Sequence, residues 1–496
     1  MSGVETPLRK SLAARGLFGF GLQVVLRLRG LLLVPILTRV LTPAELGVIS
    51  LGNALTSGLS PVLLLGMHTG LALQMAHLQG AAVRPALLTV FSFSTVFAAV
   101  TTVLVLAAIS TGMFGAAVAP LLPVLAPVGL YAVGLTLREI FTAFPQVRQR
   151  LRFIGWNSLL MDFGGALAAI ALVLLGFGAY GALMGVAIMT LLGAVIALAY
   201  SLKIAEGPWK AETSFLTTTL RTSLPVVPLA LGLWTLQSSD YFFVSHYGGP
   251  ADVALYGLAY NLASPTLMVM AAMNLTYLPT CVEILRQGRA PFASFMDDST
   301  RYFTVGGIAA VACSAAAGPG VTAWLAGPTY TESGRLLPWI VAAYVFYSLS
   351  QLQQFIPAAM TKDMSGSARA HAWAALINIV ANALLVPRFG LWGAAWATTG
   401  SYALAFLLLY RSVHGLLPEL RFASNAPRVA VLAALATALG VWLQTWALGV
   451  VLSLLCGALT LAATVALSAG LGLLTYEDAK RLARQARLEV PERTSP

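Results

Sequence analysis

Runs of about twenty apolar residues follow one another along almost the whole chain, and a helix of that length crosses the roughly 30 Å hydrocarbon core of a bilayer. No water serves backbone N–H and C=O groups there, so each run must close its hydrogen bonds internally, as a helix. Barrel strands would need ten-residue polar/apolar alternation, which is absent. Only 9% of the 496 residues are charged and 58% are hydrophobic, against about 25% charged in soluble domains. The pattern predicts an all-α, polytopic membrane protein. Fourteen spans are centred near residues 27, 57, 98, 131, 165, 190, 233, 262, 309, 346, 377, 401, 436 and 461. Pro120, Pro123 and Pro127 crowd the start of the fourth.

The formal net charge of +11 invites comparison with nucleic-acid binders, but its distribution argues otherwise. With the N-terminus placed in the cytoplasm, most Lys and Arg fall in cytoplasmic segments. They include Arg9, Lys10 and Arg15, then Arg148, Arg150 and Arg152, and finally Lys480, Arg481, Arg484, Arg487 and Arg493. The far side holds only Arg39, Arg335 and Arg388. This positive-inside bias predicts an even number of spans with both termini cytoplasmic, and no nucleic-acid partner.

The chain reads as built twice. GFGAYGA at 176–182 is echoed by RFGLWGA at 388–394, each between long apolar runs. TPAE at 42–45 is echoed by GPAD at 249–252, and both are helix starts. Thr42 can cap, Pro43 suits the first helical position, and Glu45 sits where a capping box closes. Ser60-Pro61 and Ser264-Pro265 form a weaker parallel. Six spans precede the loop at 203–219 and six follow it. Both halves then enter from the same side, as parallel repeats with a substrate site between them. The expected organisation is a six-helix bundle over 1–202, a cytoplasmic linker over 203–219 and a second six-helix bundle over 220–411. Two further spans over 427–474 and a basic cytoplasmic tail over 475–496 complete it.

Charges inside apolar helices cost about 2.5–3.5 kcal/mol each on insertion scales and survive beside a partner or a wet cavity. Arg27 lies at the midpoint of the first span and shares a face with Gln23, which makes the two substrate-site candidates. Arg29 points elsewhere unless Pro35 distorts the helix. It either joins that site or bonds to a neighbouring helix. Arg138 in the fourth span either binds an anionic ligand or serves a structural pairing. Beside it stands Glu139, and Asp162 in the fifth span can pair with an arginine. Asp240, in TLQSSDYFF of the seventh span, can carry a proton or an ion, or cap a broken helix. Glu139, Asp162 and Asp240 are therefore the candidate coupling residues. Asn378 and Asn382, four apart on one face, suit interhelical hydrogen bonds. Cations outnumber anions among the deep charges of the first half, which suits an anionic substrate. The planar fork of arginine binds two phosphate oxygens at once.

Cys281, Cys313 and Cys456 are far apart and form neither a disulfide framework nor a metal spacing. No loop exceeds about twenty residues, which leaves no room for a soluble catalytic domain. The outer loops hold only Glu45, Asp252 and Glu332 as acids, so an outward-facing glycan polymerase or ligase is disfavoured. No enzyme activity, cofactor or metal is expected.

Four segments carry a family resemblance: LTRVLTPAELG at 37–47, QVRQRLRF at 146–153, SSDYFFVSHYG at 238–248 and NIVANALLVPRFGLWGAAWATTGSY at 378–402. They resemble the Wzx-type polysaccharide-export proteins, flippases of lipid-linked oligosaccharides. That family sits in the MOP superfamily with the lipid II flippases and the MATE drug exporters. The likeness spans the first twelve helices and implies two bundles forming a V around a cavity that opens alternately to each side. It also implies an oligosaccharide linked through a diphosphate to a polyprenol, the bacterial cytoplasmic membrane as location, and glycan polymerase or ligase machinery as partners. The family's cationic cavity corresponds to Arg27, Arg29 and Arg138 by span and charge. Relatives commonly follow the Asp240 position with a basic residue, where this chain has Tyr241. After the second span relatives often carry charges, where this chain has His68 and Gln74. A MATE-like drug or metabolite antiporter and a lipid II flippase are the alternatives.

Overall fold

A computed structural model describes residues 33–113, 115–268, 277–361, 363–446 and 449–474. Fifteen α-helices occur among them and no strand. Eight helical runs are long and apolar enough to cross a membrane. Two of these, of 54 and 52 residues, are each bent into two arms. Every expected span centre except the first, near residue 27, falls inside a described helix. The first span and the tail at 475–496 lie outside the described residues.

α1 (Pro43–Leu64) begins with the capping box read from TPAE. The Glu45 backbone N–H donates to Thr42 Oγ1 (3.3 Å), and the Thr42 N–H donates to Glu45 Oε2 (2.9 Å). The helix ends where Leu65 (φ 45°) and Gly66 (φ 67°) both turn left-handed. For leucine that conformation costs about 1–2 kcal/mol, so packing must hold it. α2 (Met67–Met75) restarts beyond the break in a new direction. Gly66 and Gly70 lie flush against Ser223 at the end of α7 (Thr213–Ser223), where a Cβ would collide with the Ser223 carbonyl and hydroxyl.

α3 (Val83–Ser110), α4 (Leu125–Val147), α5 (Leu151–Leu172) and α6 (Gly178–Ile204) complete the first half. Small residues bring their backbones together, since lipid offers no hydrophobic drive between helices. Gly185 abuts the backbone at Ala169, and Ser201 Oγ donates to the Phe141 carbonyl (2.6 Å). The linker after α6 is strapped down by Arg84, whose guanidinium donates to the Ala205 carbonyl (2.6 Å) and to the Gly207 carbonyl. Trp209 covers that guanidinium at 4.9 Å. α8 (Val227–Gly248) and α9 (Pro250–Ala263) follow, and α9 stops at Ser264-Pro265.

The two echoes adopt one backbone device. Gly178 has φ 53°, ψ −141°, and Gly390, at the same place in its motif, has φ 54°, ψ −129°. Only glycine visits that region readily. The first break joins α5 to α6; the second folds α13 (Ser365–Leu416) into two arms. Gly181 and Gly393, again at equivalent places, pack against the preceding arm.

Contacts divide the chain into two compact units. The first holds 1–268 and 368–401, and the second 269–367 and 402–496. In the first, Leu63, Met67, Leu71, Leu87 and Ile140 belong to one buried cluster joining α1 to α4. The second contains α10 (Tyr277–Arg286), α11 (Arg289–Ala326), α12 (Thr331–Met360), α14 (Ala426–Gln444) and α15 (Val450–Gly470). α14 and α15 both pack on α11 through small residues, Gly440 on Ala312 and Ser453 on Gly320. On the buried side of α15, Thr460 and Thr464 donate to the carbonyls four residues back, both at 2.7 Å. On its other side Val451, Leu454, Leu455 and Leu459 are exposed, a surface that suits lipid.

Candidate functional site

Arg138 and Glu139 sit on α4 and His68 on α2, and all three line a cavity of about 520 Å³. A liquid water takes up about 30 Å³, so the cavity has room to hydrate a guanidinium or to take a diphosphate. Thr69, Thr142 and Gln146 add polar surface. Arg138 Nε and His68 Nδ1 are buried without a hydrogen-bond partner. His68 Nε2 lies 3.0 Å from Thr69 Oγ1. Thr142 Oγ1 is turned back to the Arg138 carbonyl (2.8 Å). Two cation-capable side chains from different helices thus line one space, each with a buried nitrogen left unpartnered, and one carboxylate stands beside them.

Asp240 occupies the opposite kind of environment. It is 1% exposed on α8, and its Oδ2 accepts hydrogen bonds from the Tyr256 hydroxyl, the Tyr260 hydroxyl (2.9 Å) and Thr398 Oγ1 (3.0 Å). Oδ1 accepts from the Tyr241 N–H (3.0 Å). Tyr256 and Tyr260 stand four apart on α9, and the Tyr241 ring packs on both, at 5.4 and 5.7 Å. Beside this nest, Ser239 Oγ and Asn382 Nδ2 both donate to Asn378 Oδ1, each at 3.1 Å. The asparagine pair therefore does bond across helices. The helix-cap option for Asp240 fails, because α8 runs unbroken through to Gly248.

Of the residues singled out from sequence, Arg138 and Glu139 come together in the cavity. Asp162 lies half-buried on α5 and is not among the lining residues, and Asp240 belongs to its own nest. Gln23, Arg27 and Arg29 lie outside the described residues. His68 and the Asp240 donors were not foreseen as site residues. Tyr256 and Tyr260 did carry a signal, their spacing of four on one helical face. Thr398 carried none, being distant in sequence from Asp240.

The fold has solved relatives. A lipid II flippase, MurJ, in its inward closed conformation superposes with a TM-score of 0.71 at 13% identity, covering 91% of this chain and 99% of that one. An inward-facing multidrug resistance MATE transporter of the MOP superfamily gives a TM-score of 0.55 at 14% identity, covering 79% of this chain and 98% of that one. A point mutant of a MATE protein gives 0.50 at 16% identity, covering 82% and 95%. At these identities the likeness is one of fold. No curated protein matches the sequence. The family model described as polysaccharide biosynthesis protein matches residues 36–333, more than half of the chain. The chain therefore belongs to the polysaccharide biosynthesis protein family, and its long apolar helices make it a multi-pass membrane protein.

Proposed function

We propose that the chain is a flippase for an undecaprenyl-diphosphate-linked oligosaccharide, the repeat unit of an O-antigen, capsule or exopolysaccharide. It moves this unit from the cytoplasmic to the outer leaflet of a bacterial inner membrane. The observation that carries the reading is Arg138, whose side chain lines a cavity of about 520 Å³ in an apolar helix bundle while its Nε is buried without a partner. Such a group is costly there unless an anion or water meets it. Arg138 takes phosphate oxygens, and Arg27, Arg29 and Gln23 are the further substrate-binding candidates from the sequence. The sugars occupy the space between the bundles over 1–202 and 220–411, and the polyprenol stays in lipid. Rocking of the two bundles then presents the head group to the other side. Asp240 is the coupling residue, carrying a proton or a cation within its ring of hydroxyls. Glu139 and Asp162 are secondary candidates.

The test is a reconstituted flipping assay with defined polyprenyl-diphosphate glycans. Arg27→Ala and Arg138→Ala should each lower the rate by tenfold or more. This corresponds to about 1.4 kcal/mol of lost interaction, a modest figure for a charge-assisted contact to phosphate. Normal flipping by both variants would remove the cavity assignment. Flipping only of the peptidoglycan precursor would make the chain a lipid II flippase. Efflux of organic cations in place of flipping would make it a drug antiporter.

A further inference from the structure

We infer that His68 is the second cationic arm of the anion site beside Arg138, and that its protonation sets whether the cavity takes a diphosphate. The inference rests on the reading of that cavity as the diphosphate site.

Three charge-bearing side chains line the cavity: His68, Arg138 and Glu139. Arg138 and Glu139 cancel when both are ionised. With a neutral imidazole the lining then has no net charge, and with an imidazolium it has one positive charge. While Glu139 stays ionised, the state of one histidine decides whether the walls attract an anion. Histidine is the side chain whose ordinary pKa, about 6.5, lies close to cytoplasmic pH.

Position supports the role. The left-handed pair Leu65 and Gly66 breaks the second span just before His68, and α2 is then clamped on α7 through Gly66, Gly70 and Ser223. That clamp holds the imidazole on the cavity wall, with Nδ1 buried and unpartnered. In the imidazolium both ring nitrogens donate, so Nδ1 carries a proton to give to a phosphate oxygen while Nε2–H lies beside Thr69 Oγ1.

The elements packed on α2 bring few other charges. α4 supplies Arg138 and Glu139 and carries Tyr131 two turns away. α7 supplies only Arg221, which is exposed. α3 supplies only Arg84, whose guanidinium is held by the Ala205 and Gly207 carbonyls. The Arg148 guanidinium donates to the Leu78 carbonyl (2.9 Å), beyond the end of α2.

Anion binding and His68 protonation are then linked, each strengthening the other by the same factor. Affinity should be highest where the imidazole is protonated and fall as pH rises. The probe is undecaprenyl-diphosphate-N-acetylglucosamine, a diester whose two phosphates each keep one negative charge throughout. Binding to the full-length protein in detergent is measured from about pH 5.5 to about pH 8.5, either side of the ordinary histidine value of about 6.5. Wild type should lose roughly fivefold or more in affinity across that range, the lower end of ordinary coupling strengths. His68→Gln should give a flat curve at the wild-type high-pH level. His68→Arg should give a flat curve at the low-pH level, which also shows that the site still folds. His77→Gln, at an exposed position, should keep the wild-type slope. A pH-independent wild type, or an undiminished slope in His68→Gln, overturns the inference and leaves the cavity reading standing. Equal binding by wild type and Arg138→Gln overturns the cavity reading, and this inference with it.

Discussion

Arg138 and Asp240 are both ionisable side chains set into apolar helices, and the fold treats them in opposite ways. Arg138 lines a cavity and has a buried Nε without a partner, whereas Asp240 is shut in and accepts from three hydroxyls and one amide. A hydrogen bond to a charged group is worth about 1.5–3 kcal/mol net. Asp240→Asn should therefore fold with a reduced melting temperature. Its amide keeps one acceptor, and the Tyr256 hydroxyl can turn toward Tyr260 (3.3 Å) or Thr398 (3.4 Å). If Asp240 carries the coupling ion, the variant should also lose at least tenfold in transport, read in the same liposomes. A melting-point drop with wild-type transport would leave Asp240 a structural residue only. The charges themselves were legible in the sequence, because Arg138, Glu139 and Asp240 each interrupt an apolar run. Their surroundings were not. A lone histidine such as His68 reads the same on a cavity wall as in dry packing, and Thr398 reaches Asp240 only through the tertiary fold.

At the scale of elements, the two echoed motifs carry the same helical break. Gly178 and Gly390 have nearly the same φ and ψ, in a region costing other residues about 1–3 kcal/mol. Their neighbourhoods differ. A Cβ on Gly390 would meet nothing within 4 Å, while one on Gly178 would strike Glu45 Oε1. Gly390→Ala should thus show the backbone cost alone. Gly178→Ala should cost more, because it also disturbs the carboxylate that closes the capping box on α1. Thermal unfolding in detergent checks the order, and equal losses would contradict it. The glycines and the cap were readable from the repeated motifs, since φ > 0 and capping are local demands. The left-handed pair at Leu65 and Gly66 was not, because nothing in the leucine announces it. Its nearest sequence cue is Ser60-Pro61, matched in the other half by Ser264-Pro265, where α9 stops. The second helix of each half is thus interrupted at or shortly after a Ser-Pro pair.

The proposed transport requires the two repeats read from the sequence to part somewhere, and the contacts of the first unit indicate where. α1 and α9, the helices opened by TPAE and GPAD, lie against each other. Gly47 abuts the Pro250 carbonyl, and a Cβ on Gly257 would lie 3.0 Å from Ser50 Cβ. Farther along α1, Trp234 Nε1 of α8 donates to the Ala54 carbonyl (3.1 Å). Sequence could identify these helices as counterparts, but not that they touch, because nothing local links positions two hundred residues apart. In the proposed topology the ends bearing Thr42 and Gly249 face outward, so this seam closes the outer side. A carrier that works by alternating access must open it once per cycle. Disulfides span Cβ···Cβ distances of about 3.5–4.5 Å, so Ser50→Cys with Gly257→Cys needs a shift of only a few tenths of an ångström. Oxidation of that double variant should cross-link it within one chain and stop flipping, and reduction should restore it. Each single variant should be indifferent to oxidant. The native Cys281, Cys313 and Cys456 are buried or half-buried and should not interfere. Full flipping by the cross-linked protein would mean that the seam never parts, and that the glycan crosses by a route on which α1 and α9 move as one body.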